Sequence, residues 1–256
     1  MSHIAFDIED SVGLVRLARP EKLNALTPDM LRDLIAAIAR AETEPGLRAL
    51  VIHAEGRLFS VGADINIWSA LSPEAFRTEW ISMGHRAFDT IAGCRLPVIA
   101  ALHGMALGGG LELALAADLR VADEDTTMAL PEVSLGTLPG WGGTRRLPDI
   151  VGRSRAKQMV LTAQRIDAPT AERWGLVNAV SPQGSALDVA RGLAAQICAQ
   201  APIAVQLGKK IIDGGAGETL HQTLEMLAGM ATQTTTDLED GIAAMRAKRT
   251  PDFRGR

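Results

Sequence analysis

The sequence predicts an α/β fold with a helical C-terminal part. Three observations carry this. Short strand-like runs alternate with amphipathic helical runs up to about Arg153. The helix starts carry N-cap chemistry, as in Thr27-Pro28-Asp29 and Ser72-Pro73-Glu74. Beyond Arg153 nearly every patterned stretch has helical period.

In chain order, His3–Ile8 and Val12–Leu17 alternate apolar and polar residues, and Glu9-Asp10 lies between them as a turn, so the start reads as a hairpin. Thr27 caps a helix whose apolar positions are Met30, Leu31, Leu34, Ile35 and Ile38. Ala49–His53 is a continuous apolar run, as in a strand buried on both faces. Ser72-Pro73-Glu74 opens a helix running toward Ile91 and stopping near Gly93. Pro97–Leu102 reads as a strand, followed by a glycine-rich turn and a helix through Leu115; Leu119–Ala122 is the next strand. Strands that alternate with helices call for right-handed crossovers. Later, 186–199, 203–212, 218–229 and 238–248 read as helices, and only Leu176–Val180 looks extended. These signals divide the chain into a core, residues 1–196, carrying any active site, and a helical region, residues 197–256.

Composition narrows the function classes. The chain has 256 residues, 47% hydrophobic and 22% charged, with a net charge of −4. No basic field for nucleic acid is evident. No apolar run approaches the ~18 residues that span a bilayer, and no targeting segment is visible, so the expected location is the cytoplasm. Cys94 and Cys198 form no Cys-x-x-Cys pattern, so no disulfide framework is expected. His3, His53, His85, His103 and His221 lack zinc-ligand spacing, so no metal is expected. Tyrosine is absent, which excludes a phenol as proton donor.

Two glutamates stand in apolar company. Glu112 follows the triplet Gly108-Gly109-Gly110 among Leu111, Leu113, Ala114 and Leu115. Glu132, 20 residues on, sits among Leu130, Pro131, Val133 and Leu135. Carboxylates in such settings are rare unless paired or functional. A strand between them would let both converge on one pocket, where two carboxylates can divide acid and base work. Each has a plainer reading: Glu112 as a first-turn charge favourable to the helix dipole, Glu132 as a loop charge.

Three consecutive glycines let backbone approach a ligand closely, and the helix start behind them offers free N–H groups. Neither Gly-x-Gly-x-x-Gly nor a P-loop is formed, so a nucleotide phosphate is not indicated. In Phe59–Ile65, Gly62 permits a turn that could aim the N–H of Ala63 or Asp64 into the same cleft, making a two-donor oxyanion hole with the triplet. Alternatively, Asp64 simply caps the next helix. Trp141, in Gly140–Arg146, could wall a substrate pocket or belong to the core.

Taken in order and spacing, Phe59–Ile65, Ala106–Glu112 and Leu130–Arg146 resemble the signature of the crotonase superfamily, in particular enoyl-CoA hydratases. Arg19–Leu26 resembles that family's segment near the CoA adenine, and Arg246–Phe253 its tail. The resemblance implies a spiral of ββα units with C-terminal helices that mediate trimers, often paired as hexamers. It implies a place in acyl-CoA, hence fatty acid, metabolism. It implies that Ala63 and Gly109 hold the thioester oxygen and that Glu112 activates water while Glu132 protonates the α-carbon. Lys22, Leu23, Ala25, Asp64 and Ile65 would then bind CoA, and Trp141 and Leu138 would line the acyl pocket. CoA belongs to the substrate, so no separate cofactor is implied. Three positions depart from the pattern: Asn66 where lysine is frequent, Trp141 where a small residue is common, and Met245 where an aromatic is usual. Other readings on the same fold are an acyl-CoA isomerase, dehydratase or lyase, or a non-catalytic acyl-CoA- or RNA-binding relative.

Overall fold

A computed structural model describes residues 2–214 and 218–256. The chain opens with the hairpin β1 (Ile4–Glu9) and β2 (Val12–Leu17), registered from Ile4↔Leu17 to Glu9↔Val12. The turn is therefore Asp10-Ser11, one residue later than the sequence pattern suggests. Asp10 takes the left-handed conformation there, at φ 53°, which Asp tolerates better than most residues.

Next come α1 (Pro28–Thr43) and β3 (Ala49–Ala54). Thr27 caps α1 by accepting the Met30 N–H at 3.2 Å, and Met30, Leu31, Leu34 and Ile38 are fully buried. A short α2 (Ile65–Trp68) precedes a long helical run. That run consists of α3 (Pro73–Ala75), a π-helical stretch Phe76–Ile81, and α4 (Ser82–Gly93). Ser72 caps it through the Ala75 N–H, as expected.

The centre of the fold is β4 (Val98–Leu102), β5 (Met105–Leu107), α5 (Gly109–Ala116), β6 (Leu119–Asp123) and β7 (Thr127–Ala129). Every residue of α5 is buried, so it runs through the core rather than over it. A 3₁₀ turn, Glu132–Leu135, leads to α6 (Gly143–Val151) and α7 (Arg153–Thr162). Then follow β8 (Ile166–Asp167), α8 (Ala168–Trp174), β9 (Ala179–Ser181) and α9 (Ala186–Cys198). The chain ends with α10 (Pro202–Gly214), α11 (Glu218–Gln233) and α12 (Thr236–Ala247). Extended structure after Arg153 is thus β8 as well as β9, and β9 is shorter than the run 176–180 implied.

The larger sheet has the order β1-β2-β3-β4-β6-β9, parallel apart from the opening hairpin. The smaller one, β5-β7-β8, pairs β5 and β7 in parallel. Two isolated parallel bridges, Leu26↔Ala63 and Ser60↔Ala106, continue the smaller layer across earlier turns of the chain. β2, β3, β4 and β6 of the large sheet are each followed by a step onto this second ladder, so the chain winds as a spiral of ββα units.

α9 lays Ala186, Ala190 and Ala194 against Leu14, Val51, Ile99 and Val121 of the large sheet. The next helix is tied to the core by charge. In α10, the Lys209 Nζ donates to Asp118 Oδ2 at 2.7 Å and to the Leu96 carbonyl at 3.1 Å. The Lys209 side chain is 7% exposed, and burial raises the carboxyl of Asp118 above the usual range against the pull of the lysine. Removing one partner of such a pair leaves the other desolvated. Lys209→Met is expected to lose about 3 kcal/mol of stability, read as a lower urea midpoint with unchanged slope. An unchanged midpoint would show that the pair contributes nothing.

Candidate active site

The site lies where two turns of the spiral meet. Ser60 Oγ donates to the Asn24 carbonyl and accepts the Gly62 N–H. Leu26 N–H donates to the Gly62 carbonyl, and Asp64 N–H to the Leu26 carbonyl. This pairing uses the N–H groups on both sides of Ala63 and leaves that of Ala63 directed away from the ladder. Gly62 has φ +96°, and a Cβ there would lie 2.7 Å from the Leu107 carbonyl oxygen and 2.8 Å from the Gly109 nitrogen. Only glycine lets the two turns approach so closely. The ideal Cβ position of Gly109 is in turn 3.3 Å from the Ala63 nitrogen. The two N–H groups are therefore neighbours, and among the described residues neither donates to an acceptor. Gly109 is the first residue of α5, so the positive end of that helix adds to the same spot.

Glu112 sits one turn into α5, 2% exposed. Its Oε1 accepts the N–H groups of Trp141 and Gly143, both at 2.8 Å. Burial raises its pKa above the usual carboxylate value; the Gly143 and Trp141 donors and the Arg146 charge oppose that rise. Glu132 begins the 3₁₀ turn after β7. Its Oε1 lies beside Gly108, where a Cβ would come within 2.9 Å. Its Oε2 is buried and has no hydrogen-bond partner among the described residues. Burial, with a smaller contribution from the Glu112 charge, pushes Glu132 up to about 7.

Both carboxylates line one narrow cleft of about 90 Å³ that opens to solvent. Ala63, Gly109, Ile65, Trp141 and Leu138 line the same cleft. So do Val61, Trp68, Phe76, Trp80, Ile81, Gly108, Pro131, Leu135, Thr137 and Gly140. Trp141 is at once core and wall: 2% exposed, tilted at 49° against Trp80 with ring centres 5.1 Å apart, and edge-on to Phe88 at 5.5 Å. Leu138 stands at the mouth, 66% exposed.

Lys22, Leu23, Ala25 and Asp64 are not part of the cleft wall. The first three belong to the adjacent turn, where Leu23 and Asn24 both take left-handed conformations, at φ 54° and 52°. The Leu23 carbonyl accepts the Val61 N–H, which docks that turn against the Ala63 strand. Asp64 is the cap of α2 and pairs with Arg19 at 2.7 Å. Its carboxylate is thus committed to the fold, and any part it takes at a ligand is by position.

Sequence reasoning missed two supports. Arg146, 8% exposed, donates to the Trp141 carbonyl and to Asp89, pinning the Gly140–Gly143 loop to α4. The π-helical stretch carries Phe76, Trp80 and Ile81 to the cleft. No local signal distinguishes a π turn from an α turn, although such turns are frequent at functional sites.

The arrangement can stabilise an oxyanion at Ala63 and Gly109 while two carboxylates beside it move protons. Residues 7–256 match the family model for enoyl-CoA hydratase/isomerase. The chain belongs to the enoyl-CoA hydratase/isomerase family. It is 35% identical to the short-chain-enoyl-CoA hydratase of Clostridium acetobutylicum, over 97% of this chain and 96% of the relative. It is also 35% identical to the crotonyl-CoA hydratase of Syntrophomonas wolfei, over 98% and 97% of the two chains. The crystal structure of an enoyl-CoA hydratase from Bacillus anthracis superposes with a TM-score of 0.96 at 33% identity, covering 99% of this chain and 100% of that one. The architecture is the crotonase fold of this family, with its C-terminal helical region.

Proposed function

We propose that this protein adds water across the double bond of a 2-enoyl-CoA thioester to give the 3-hydroxyacyl-CoA. The observation that carries the reading is the meeting of two unspent backbone N–H groups with a buried carboxylate, Glu112, and a half-buried one, Glu132, in one apolar cleft. The thioester carbonyl oxygen accepts the N–H groups of Ala63 and Gly109, which stabilise it as negative charge develops there. Each such donor is worth about 10²–10³ in rate. Glu112 takes a proton from water as the water oxygen bonds to the β-carbon. Glu132 gives its proton to the α-carbon as the enolate collapses. The pair starts and ends with a single proton, on Glu132 before addition and on Glu112 after it. Glu132 is the natural holder in the resting site, because its Oε2 has no donor facing it whereas Glu112 has two.

CoA serves as the handle whose binding energy positions the reacting end. Lys22, Leu23, Ala25, Asp64 and Ile65 are assigned to its path, and no further cofactor or metal enters the reaction. Residues 197–256 are assigned to association into a trimer or a pair of trimers, and residues 1–196 to the catalytic core. No helix among the described residues is long and apolar enough to cross a membrane; a cytoplasmic location accords with CoA chemistry. The direct test is loss of enoyl thioester absorbance on adding the protein to crotonyl-CoA. A protein that leaves the absorbance unchanged refutes the assignment.

The pH profile follows from the shared proton. Hydration consumes and releases no net proton, so kcat/KM in the two directions must vary with pH in the same way. Both require the pair to carry one proton, which gives a bell. The alkaline limb is expected near the value of about 7 to which Glu132 is raised, because above it the pair is doubly ionised. Profiles of hydration and dehydration measured on the free enzyme test this. Activity still rising well above neutral pH would exclude Glu132 as the acid.

A further inference from the structure

We propose that the Trp141 indole is the length stop of the acyl pocket, so that the preferred substrate carries a short acyl chain. This deepens the hydratase reading and rests on it for the identity of the thioester. The first observation is proximity. A Cβ on Gly109 would lie 2.6 Å from Trp141 Cζ3 and 2.8 Å from Cε3. The six-membered ring of the indole is therefore in van der Waals contact with the residue that supplies one oxyanion donor. Carbons extending a few bonds past the reacting pair run into this ring.

A second observation is that the ring cannot step aside. Gly84 of α4 lies directly behind it: a Cβ there would meet Trp141 Cδ1 and Nε1 at 2.1 Å and Cε2 at 2.4 Å. The space of a missing side chain on α4 is filled by the indole itself. Its Nε1–H donates to the Trp80 carbonyl at 3.3 Å, and Phe88 presents an edge at 87°. Below the ring, the Trp141 backbone N–H holds Glu112, and Arg146 holds its carbonyl. A side chain packed from behind and hydrogen-bonded at its polar end does not change rotamer to admit a longer chain.

The test compares crotonyl-CoA and 2-decenoyl-CoA as substrates of the wild type, Trp141→Leu and Trp141→Phe. The wild type is expected to favour crotonyl-CoA in kcat/KM. Added methylenes in a hydrophobic pocket discriminate by roughly tenfold or more, so Trp141→Leu is expected to move the ratio toward the longer chain on that order. Trp141→Phe, which keeps a ring against Phe88 and covers the case of an unstable leucine variant, moves it less in the same direction. The unreactive thioesters butyryl-CoA and decanoyl-CoA supply a binding arm by calorimetry. Lengthening should add no affinity in the wild type and roughly tenfold or more in Trp141→Leu. A wild type that treats both chains alike, or a folded variant with an unmoved ratio, overturns the length stop while leaving hydration in place. A wild type inert on both enoyl thioesters, yet with length discrimination in binding that Trp141→Leu removes, overturns hydration and keeps the stop.

Discussion

Glu132→Gln is expected to reduce kcat for hydration by at least about 10²-fold while leaving the affinity for a saturated acyl-CoA largely intact. Glutamine preserves the size of the side chain and one acceptor, but it has no proton to give the α-carbon. The unpartnered Oε2 and the upward displacement to about 7 are what make this carboxyl a proton carrier near neutrality. Glu112→Gln should be similarly damaging for a different reason: it removes the base and puts an amide where two N–H donors converge. Because the two groups share one proton, the double variant should lose far less than the product of the single losses. Steady-state kcat for all three proteins, with thioester affinity measured separately, provides the check. Near-normal turnover in Glu132→Gln would move single-carboxylate reactions such as double-bond isomerisation ahead of hydration.

The second large effect is expected at a residue with no side chain. Gly62→Ala puts a methyl 2.8 Å from the Gly109 nitrogen and 2.7 Å from the Leu107 carbonyl, at a φ of +96°. The two turns must move apart, and with them the N–H groups of Ala63 and Gly109. Losing proper aim at one donor should lower kcat by about 10²–10³, whereas KM, set largely by the CoA handle, should change little. The left-handed backbone adds a stability loss of about 1–2 kcal/mol. Circular dichroism and an unfolding midpoint separate the two effects. A folded Gly62→Ala protein with ordinary kcat would mean that the oxyanion is held elsewhere.

Much of this site was legible in the residues because its parts have local causes. Thr27 and Ser72 make the caps their sequence calls for. A glycine triplet before an apolar helix, and glutamates among leucines, announce a buried polar site without any long-range information. What could not be read depends on contacts between distant segments. β5, β7 and β8 have two or three residues each, too few for a periodic signal. The π-helical stretch looks like ordinary helix until Trp80 and Ile81 meet the loop at Gly140 and Trp141. Gly84 is unremarkable in sequence, 57 residues from the indole that occupies its missing side chain. Asp64 could have been ligand or cap; Arg19, brought in from another turn, commits it to the cap.

The ladder that stacks one turn of the spiral on the next also governs when the protein becomes an enzyme. Ala63 and Gly109 are 46 residues apart and are brought together by the bridge Ser60↔Ala106. Such non-local parallel pairing is the slow kind of folding event, since the loop entropy is lost before the contacts form. Helices on either side can appear well before the turns dock. The expected order is therefore helix content first and the complete oxyanion hole later. During refolding, catalytic competence should lag behind helical ellipticity, and the interval between them times the winding of one coil onto another.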